Sequence, residues 1–152
     1  MTGWPQAQLD GVRRLHVMAA AVRGATVAER LVDAPFAQVW QLLQDLEGSF
    51  GEILPDMRHV RILRREGSQV EALARSRYGM RALLRGELSE GYCWLQSRFL
   101  LIGVAARAEG AGTRVAITAG VRVPGRAAIV PVGVRREAAR ALGRLQDLVA
   151  GD

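Results

Sequence analysis

The chain has 152 residues, of which 49% are hydrophobic and 24% charged, with a formal net charge of +6 and a sequence pI of about 11.1. This length suits one domain with a buried core, and no apolar run approaches the roughly 20 residues of a membrane span. A single cysteine, Cys93, excludes an internal disulfide and a cysteine-based zinc site. We therefore expect a location in the reducing cytoplasm.

The basic charge has two interpretations. All 21 basic residues are arginines, and they are spread along the chain rather than gathered in one segment. Aromatic residues make up only 5%, too few to suggest a platform for stacking nucleic-acid bases. We predict no nucleic-acid partner, and keep a basic interaction module for an acidic partner or RNA as an alternative function.

The first 24 residues are predicted to form an N-terminal extension, either helical or partly disordered, ahead of a domain spanning 25–150. A helix is indicated by apolar residues at near-helical spacing. These residues are Leu9, Val12, Leu15, Ala19 and Val22.

A strand over 26–32 leads into a helix through Asp33-Ala34-Pro35. We expect Asp33 to cap this helix and Pro35 to occupy its first turn. The helix itself is predicted from an apolar stripe at i, i+3 and i+4 spacing. That stripe consists of Phe36, Val39, Trp40, Leu43 and Leu46, and one short further helical turn is expected over 50–54.

The middle of the chain has the alternating pattern of β-strands joined by short turns, which predicts an antiparallel meander. A long amphipathic helix follows over 126–150. The predicted strands are 57–65, 68–79, 80–88, 92–99, 101–109 and 113–123.

Four stretches of the sequence resemble the START/Bet v 1-like superfamily, specifically its bacterial polyketide cyclase/dehydrase and lipid-transport-like group. They are LVDAPFAQVWQLLQDLE (31–47), Leu54-Pro55 followed by VRIL (60–63), the hairpin EGAGTRVAI (109–117) and the C-terminal helix. The resemblance covers about residues 25–150. The chain departs from many relatives in having no tryptophan before the Leu-Pro pair.

The resemblance implies an α+β helix-grip fold, in which a curved antiparallel sheet of about six or seven strands wraps around the long C-terminal helix. One or two short helices follow the first strand. It also implies a small hydrophobic ligand, such as a lipid, quinone or polyketide-like molecule, held between sheet and helix by a carrier or sensor. A polyketide cyclase/aromatase-like enzyme is the alternative.

Candidate lining residues come from the apolar faces of these elements and the entrance region. Strand 92–99 leaves its orientation open, because Trp94, Gln96 and Arg98 share one face, and Cys93, Leu95 and Ser97 the other. An inward Arg98 would be costly unless it paired with a carboxylate or with an anionic ligand. The expected lining residues are Phe50, Leu54, Met57, Ser76, Tyr78, Trp94, Gln96, Arg98, Ile117 and Leu142.

Neither catalytic nor metal chemistry has a sequence signature here. His16 and His59 are the only histidines, and neither has the acidic or thiol neighbours at the spacing of a metal site or a nucleophile–base pair. We therefore predict no metal and no cofactor, favour binding over catalysis, and leave a homodimer open.

Overall fold

A computed structural model describes residues 10–53, 59–75, 81–98, 100–122, 129–130 and 134–151. These ranges contain four helices and eight strands. In chain order they are α1 (Gly11–Ala20), β1 (Ala28–Val32), α2 (Phe36–Gln44), α3 (Ser49–Ile53), β2 (His59–Glu66), β3 (Gln69–Arg75), β4 (Arg81–Ser89), β5 (Tyr92–Gln96), β6 (Leu100–Glu109), β7 (Gly112–Arg122), β8 (Ile129–Val130) and α4 (Val134–Ala150).

The strands form one antiparallel sheet in the order β1-β7-β6-β5-β4-β3-β2, with the two-residue β8 pairing with β7. Strands β2 to β7 each pair with the next strand along the chain, so the predicted meander is confirmed. The long helix α4 lies over β1 and β7. The predicted α+β helix-grip architecture is therefore confirmed.

The two faces of the sheet carry separate apolar clusters. The inner face packs against α2, α3 and α4 in the larger cluster, whereas α1 covers β5, β6 and β7 on the outer face. Strand β5 contributes to both, with Cys93 and Leu95 inside and Tyr92 and Trp94 outside. Both faces of the sheet are thus buried at its centre.

Helix α1 is held on the outer face by polar and apolar contacts. Asp10 caps it by accepting a hydrogen bond from the Arg13 backbone N–H at 2.9 Å, and Arg107 donates to the same carboxylate at 3.1 Å. Burial acts to raise the pKa of Asp10, but these bonds outweigh it and hold the pKa below its ordinary value of 3.8. Leu15 is fully buried beneath the helix. The N-terminal extension therefore contains a docked helix.

The junction before α2 differs from its prediction. Pro35 is the N-cap residue, and no side chain caps the helix. The Pro35 carbonyl accepts hydrogen bonds from Gln38 and Val39, while the Asp33 backbone N–H donates to the Gln146 side chain on α4 at 3.0 Å. Asp33 therefore ties the strand end to α4, and its expected capping role is wrong.

Helix α3 is fixed at both of its ends. Ser49 donates from its hydroxyl to the Leu42 carbonyl at 2.7 Å, and its backbone N–H donates to Asp45. At the other end, Arg144 of α4 donates to the Ile53 carbonyl at 3.0 Å. Phe50 and Ile53 are thereby held in the inner core. Among the helices within the described ranges, none is long and apolar enough to cross a bilayer.

Candidate functional site

Three of the expected lining residues lie together in the inner core. Phe50, Ile117 and Leu142 come from α3, β7 and α4, and each is at most 2% exposed. They pack within one apolar cluster that joins the sheet to the helices. In the structure they are packed side chains of the core.

The sequence left open which side chains of β5 point inward, and the two apolar clusters show this. Trp94 packs with Leu15 of α1 on the outer face, and Gln96 is exposed. Arg98 is exposed too, and with Gln96 it lines a shallow outer cleft of about 440 Å³ next to Val22 and Arg85. The expectation that Trp94, Gln96 and Arg98 line the space between sheet and α4 is therefore corrected. The other expected lining residues, Leu54, Met57, Ser76 and Tyr78, lie outside the described residues.

The buried core on the inner face is almost wholly apolar over the described part of the chain. Among the described residues, Thr113 is the one buried polar residue there, and its hydroxyl donates to the Ala34 carbonyl at 2.7 Å. The other buried polar residue, Thr118, lies on the outer face beside Leu15 and Trp94 and donates to the Thr26 carbonyl at 2.7 Å. Burial raises the pKa of the Cys93 thiol to about 12, so it stays protonated at neutral pH. Within the same residues, no three side chains able to ligate a metal lie together.

A cleft of about 420 Å³ opens where α2 meets the inner edge of the sheet. Its apolar wall is formed by Phe36 and Trp40, whose rings are parallel within 6° at a centroid distance of 6.4 Å, together with Leu88. The two aromatic residues are four positions apart and so lie on one side of α2. The polar rim consists of Gln41, Gln44, Arg65, Ser89 and Glu90.

Arg65 reaches this cleft because β2 contains a β-bulge. The register of β2 against β3 shifts between Ile62 and Arg64, which places Arg64 opposite Glu71 and Arg65 opposite Val70. Directly opposed residues of an antiparallel pair share a face. Since Val70 belongs to the inner core, Arg65 lies on the inner face and Arg64 on the outer one.

Sequence reasoning missed this cleft. With Val60 pointing inward, uninterrupted alternation would turn residue 65 outward. The one available signal is the adjacent pair Ile62-Leu63, which breaks the alternation where the bulge occurs. Trp40 was expected in the core, where it is only 5% exposed, but its ring also forms the cleft wall.

Comparison with solved structures relates this architecture to known proteins. The KanY solution structure matches with a TM-score of 0.62 at 15% identity, covering 84% of this chain and 98% of that one. The Zhui aromatase/cyclase from a Streptomyces species matches at 0.58 and 16%, covering 83% and 93%. Ara h 8.0201 matches at 0.55 and 11%, covering 84% and 98%.

The chain has the START/Bet v 1-like fold. No family model matches the sequence, and no curated protein matches it significantly. Identities of 11–16% show the shared architecture alone. A shared fold does not determine function, so the cleft and its residues are the features of this chain that bear on what it does.

Proposed function

We propose that the protein binds a small hydrophobic molecule with an anionic or strongly hydrogen-bond-accepting end, as a carrier or sensor. The observation that carries this proposal is the cleft between α2 and the inner face of the sheet, with Arg65 on its rim. A lipid, a quinone or a polyketide-like molecule has this combination of an apolar body and a polar end.

The apolar wall supports the hydrophobic part of the proposal. Small-molecule sites are concave and about 300–1,000 Å³ in volume, and a cleft of about 420 Å³ falls within that range. Phe36 is half-buried and Trp40 is 5% exposed, so the aromatic surface open to a ligand comes mainly from Phe36, whose side chain has few rotations to lose on binding. A ligand against this wall would also contact Leu88.

The polar residues on the rim of the cleft support the proposed polar end of the ligand. Arg65 forms no ion pair with any described residue, so its guanidinium is available to a carboxylate or carbonyl oxygen. Gln41, Gln44 and Ser89 add hydrogen-bonding groups beside it. Glu90 lies on the same rim, and it disfavours an anion placed next to its carboxylate. The ligand's polar end is therefore expected at Arg65.

The titratable side chains of the described residues fit binding without covalent chemistry. General acid–base catalysis needs a positioned titratable group close to the reacting atoms. Among the described residues no charged side chain is buried, and Cys93 is a protonated thiol within the core. Of the described residues at the cleft, the charged groups open to a cyclase-like reaction are the exposed Arg65 and Glu90 on the rim.

Adjacent arginines on opposite faces provide the test. We expect Arg65→Gln to weaken the binding of decanoate by about tenfold, because a hydrogen bond to a charged group contributes roughly 1.5–3 kcal/mol. Arg64→Gln is the matched control, with the same charge change one residue away on the outer face, and is expected to leave the affinity unchanged. Isothermal titration calorimetry gives both affinities. Equal losses in the two variants, or no binding by the unmodified protein, would contradict the proposal.

A further inference from the structure

Among the described residues, α1 covers only part of the outer face of the sheet. Helix α1 packs over β5, β6 and β7, while β2, β3 and β4 turn a different set of side chains outward. Cross-strand register arranges that set in three rows. We call it the basic face, and its rows are His59, Arg75 and Arg81; Arg61, Leu73 and Leu83; and Arg64, Glu71 and Arg85.

Positive charge on the basic face is only partly neutralised. Arg85 pairs with Glu71 at 3.4 Å, and Arg64 pairs with Glu66 at 2.9 Å. Arg61, Arg75 and Arg81 form no ion pair with any described residue. The outermost row therefore carries cations that no described acidic side chain neutralises.

Two of these cations oppose each other directly. Arg75 and Arg81 are cross-strand partners in the pairing of β3 with β4. Like charges directly opposite in an antiparallel pair destabilise the sheet. In the free protein the repulsion between these two guanidiniums slightly lowers the stability of the sheet. An external anion bound between them would remove that repulsion.

Leucines lie among these arginines. Leu73 and Leu83 are direct cross-strand partners, and Leu83 is 41% exposed. Leu63, at the bulge of β2, is 47% exposed. The basic face thus combines exposed apolar side chains with three guanidiniums, those of Arg61, Arg75 and Arg81, that form no ion pair within the described part of the chain.

We propose that the basic face docks the protein on an anionic lipid bilayer. The phosphate groups of acidic lipids attract arginines near the membrane surface, and the interfacial layer below them accepts leucine side chains. A nucleic acid would offer phosphates too, but the basic face has no Phe, Tyr or Trp, and the His59 imidazole is its one aromatic ring for a base to stack on. The exposed leucines favour the bilayer, and the inference is independent of the proposed ligand cleft.

Vesicle sedimentation tests the docking surface. We expect the protein to bind phosphatidylcholine vesicles that contain one third phosphatidylglycerol, to bind pure phosphatidylcholine vesicles far less, and to be released by salt. The double variant Arg75→Gln/Arg81→Gln is expected to bind about 30-fold more weakly. Its thermal stability should be equal or slightly higher, because the opposed charges are gone.

A matched double variant distinguishes the effect of the basic face from the effect of the protein's net charge. Arg30→Gln/Arg140→Gln removes the same charge from exposed positions on β1 and α4 and is expected to bind as the unmodified protein does. Leu83→Ser should weaken vesicle binding about fivefold, while Leu31→Ser, at a 49% exposed leucine on β1, should not. Equal weakening by the two double variants, or no binding to acidic vesicles, would overturn the proposal. Tighter binding to polyuridylate than to vesicles, unaffected by Leu83→Ser, would overturn it in favour of RNA.

Discussion

Replacing Gly86 with alanine is expected to lower the free energy of unfolding by about 3 kcal/mol. Gly86 lies in β4, where the backbone of β5 approaches so closely that an added Cβ would overlap the Trp94 carbonyl oxygen and lie 2.8 Å from its carbonyl carbon. Backbone atoms cannot rotate aside, so the two strands must separate locally. Urea unfolding followed by circular dichroism measures the loss.

A second glycine supplies the control. In α4 a Cβ at Gly143 would meet only the Arg30 guanidinium, at 3.8 Å. Gly143→Ala is therefore expected to raise the free energy of unfolding by up to about 1 kcal/mol, since alanine favours a helix interior over glycine. If Gly86→Ala were as stable as Gly143→Ala, the close pairing of β4 with β5 would be wrong.

Leu15→Ala is expected to cost about 3 kcal/mol, the usual range for truncating a buried leucine. Leu15 is fully buried where α1 meets the outer face, in the same cluster as Trp94 and Ala105. The lost contacts should also speed amide hydrogen exchange in α1 more than in α4, because the two helices pack in separate clusters. Urea unfolding and hydrogen exchange measure the two effects.

The control for Leu15 is on the same helix. Val17 is 57% exposed, and Val17→Ala should change stability by less than about 0.5 kcal/mol. An equally small effect of Leu15→Ala would show that α1 does not dock on the sheet in solution. The Trp94 side chain would then be exposed rather than covered.

Much of the fold could be predicted because local patterns and tertiary structure agree. The apolar stripe of α2 is buried at Val39, Trp40 and Leu43 as its spacing predicts. In β3 the alternation is equally regular, with Val70, Ala72 and Ala74 inward. Where one face of an element meets a core and the other meets water, sequence is enough to orient it.

The orientation of β5 could not be predicted, for a physical reason. Helix α1 covers the outer face of β5, so its first four residues, Tyr92 to Leu95, are all buried. The strand therefore has no polar side that would identify its outward-facing residues. A strand buried on both faces loses its alternation. The sequence suggested α1 but not which surface it covers, and that surface decides where Trp94 points.

The position of the cleft could not be predicted from the sequence, because it depends on a bulge and on tertiary contacts. One extra residue at the bulge of β2 moves Arg65 to the inner face, and periodicity carries no signal for the side chains that follow such an insertion. Leu88 and the stacked pair Phe36 and Trp40 come from separate elements that only the tertiary structure brings together. The apolar character of the interior was predictable, but the position of its opening was not.

The most direct test of the central claim is an NMR titration of the isotope-labelled protein with decanoate. Binding at the cleft predicts saturable amide shifts at Ala37, Gln41, Leu88 and Glu90, which line it, and none at Val17 or Leu83 on the outer side. Arg65→Gln should shift the titration to higher concentrations without moving the affected residues. Shifts confined to the outer face, or no saturable shifts at all, would contradict the account.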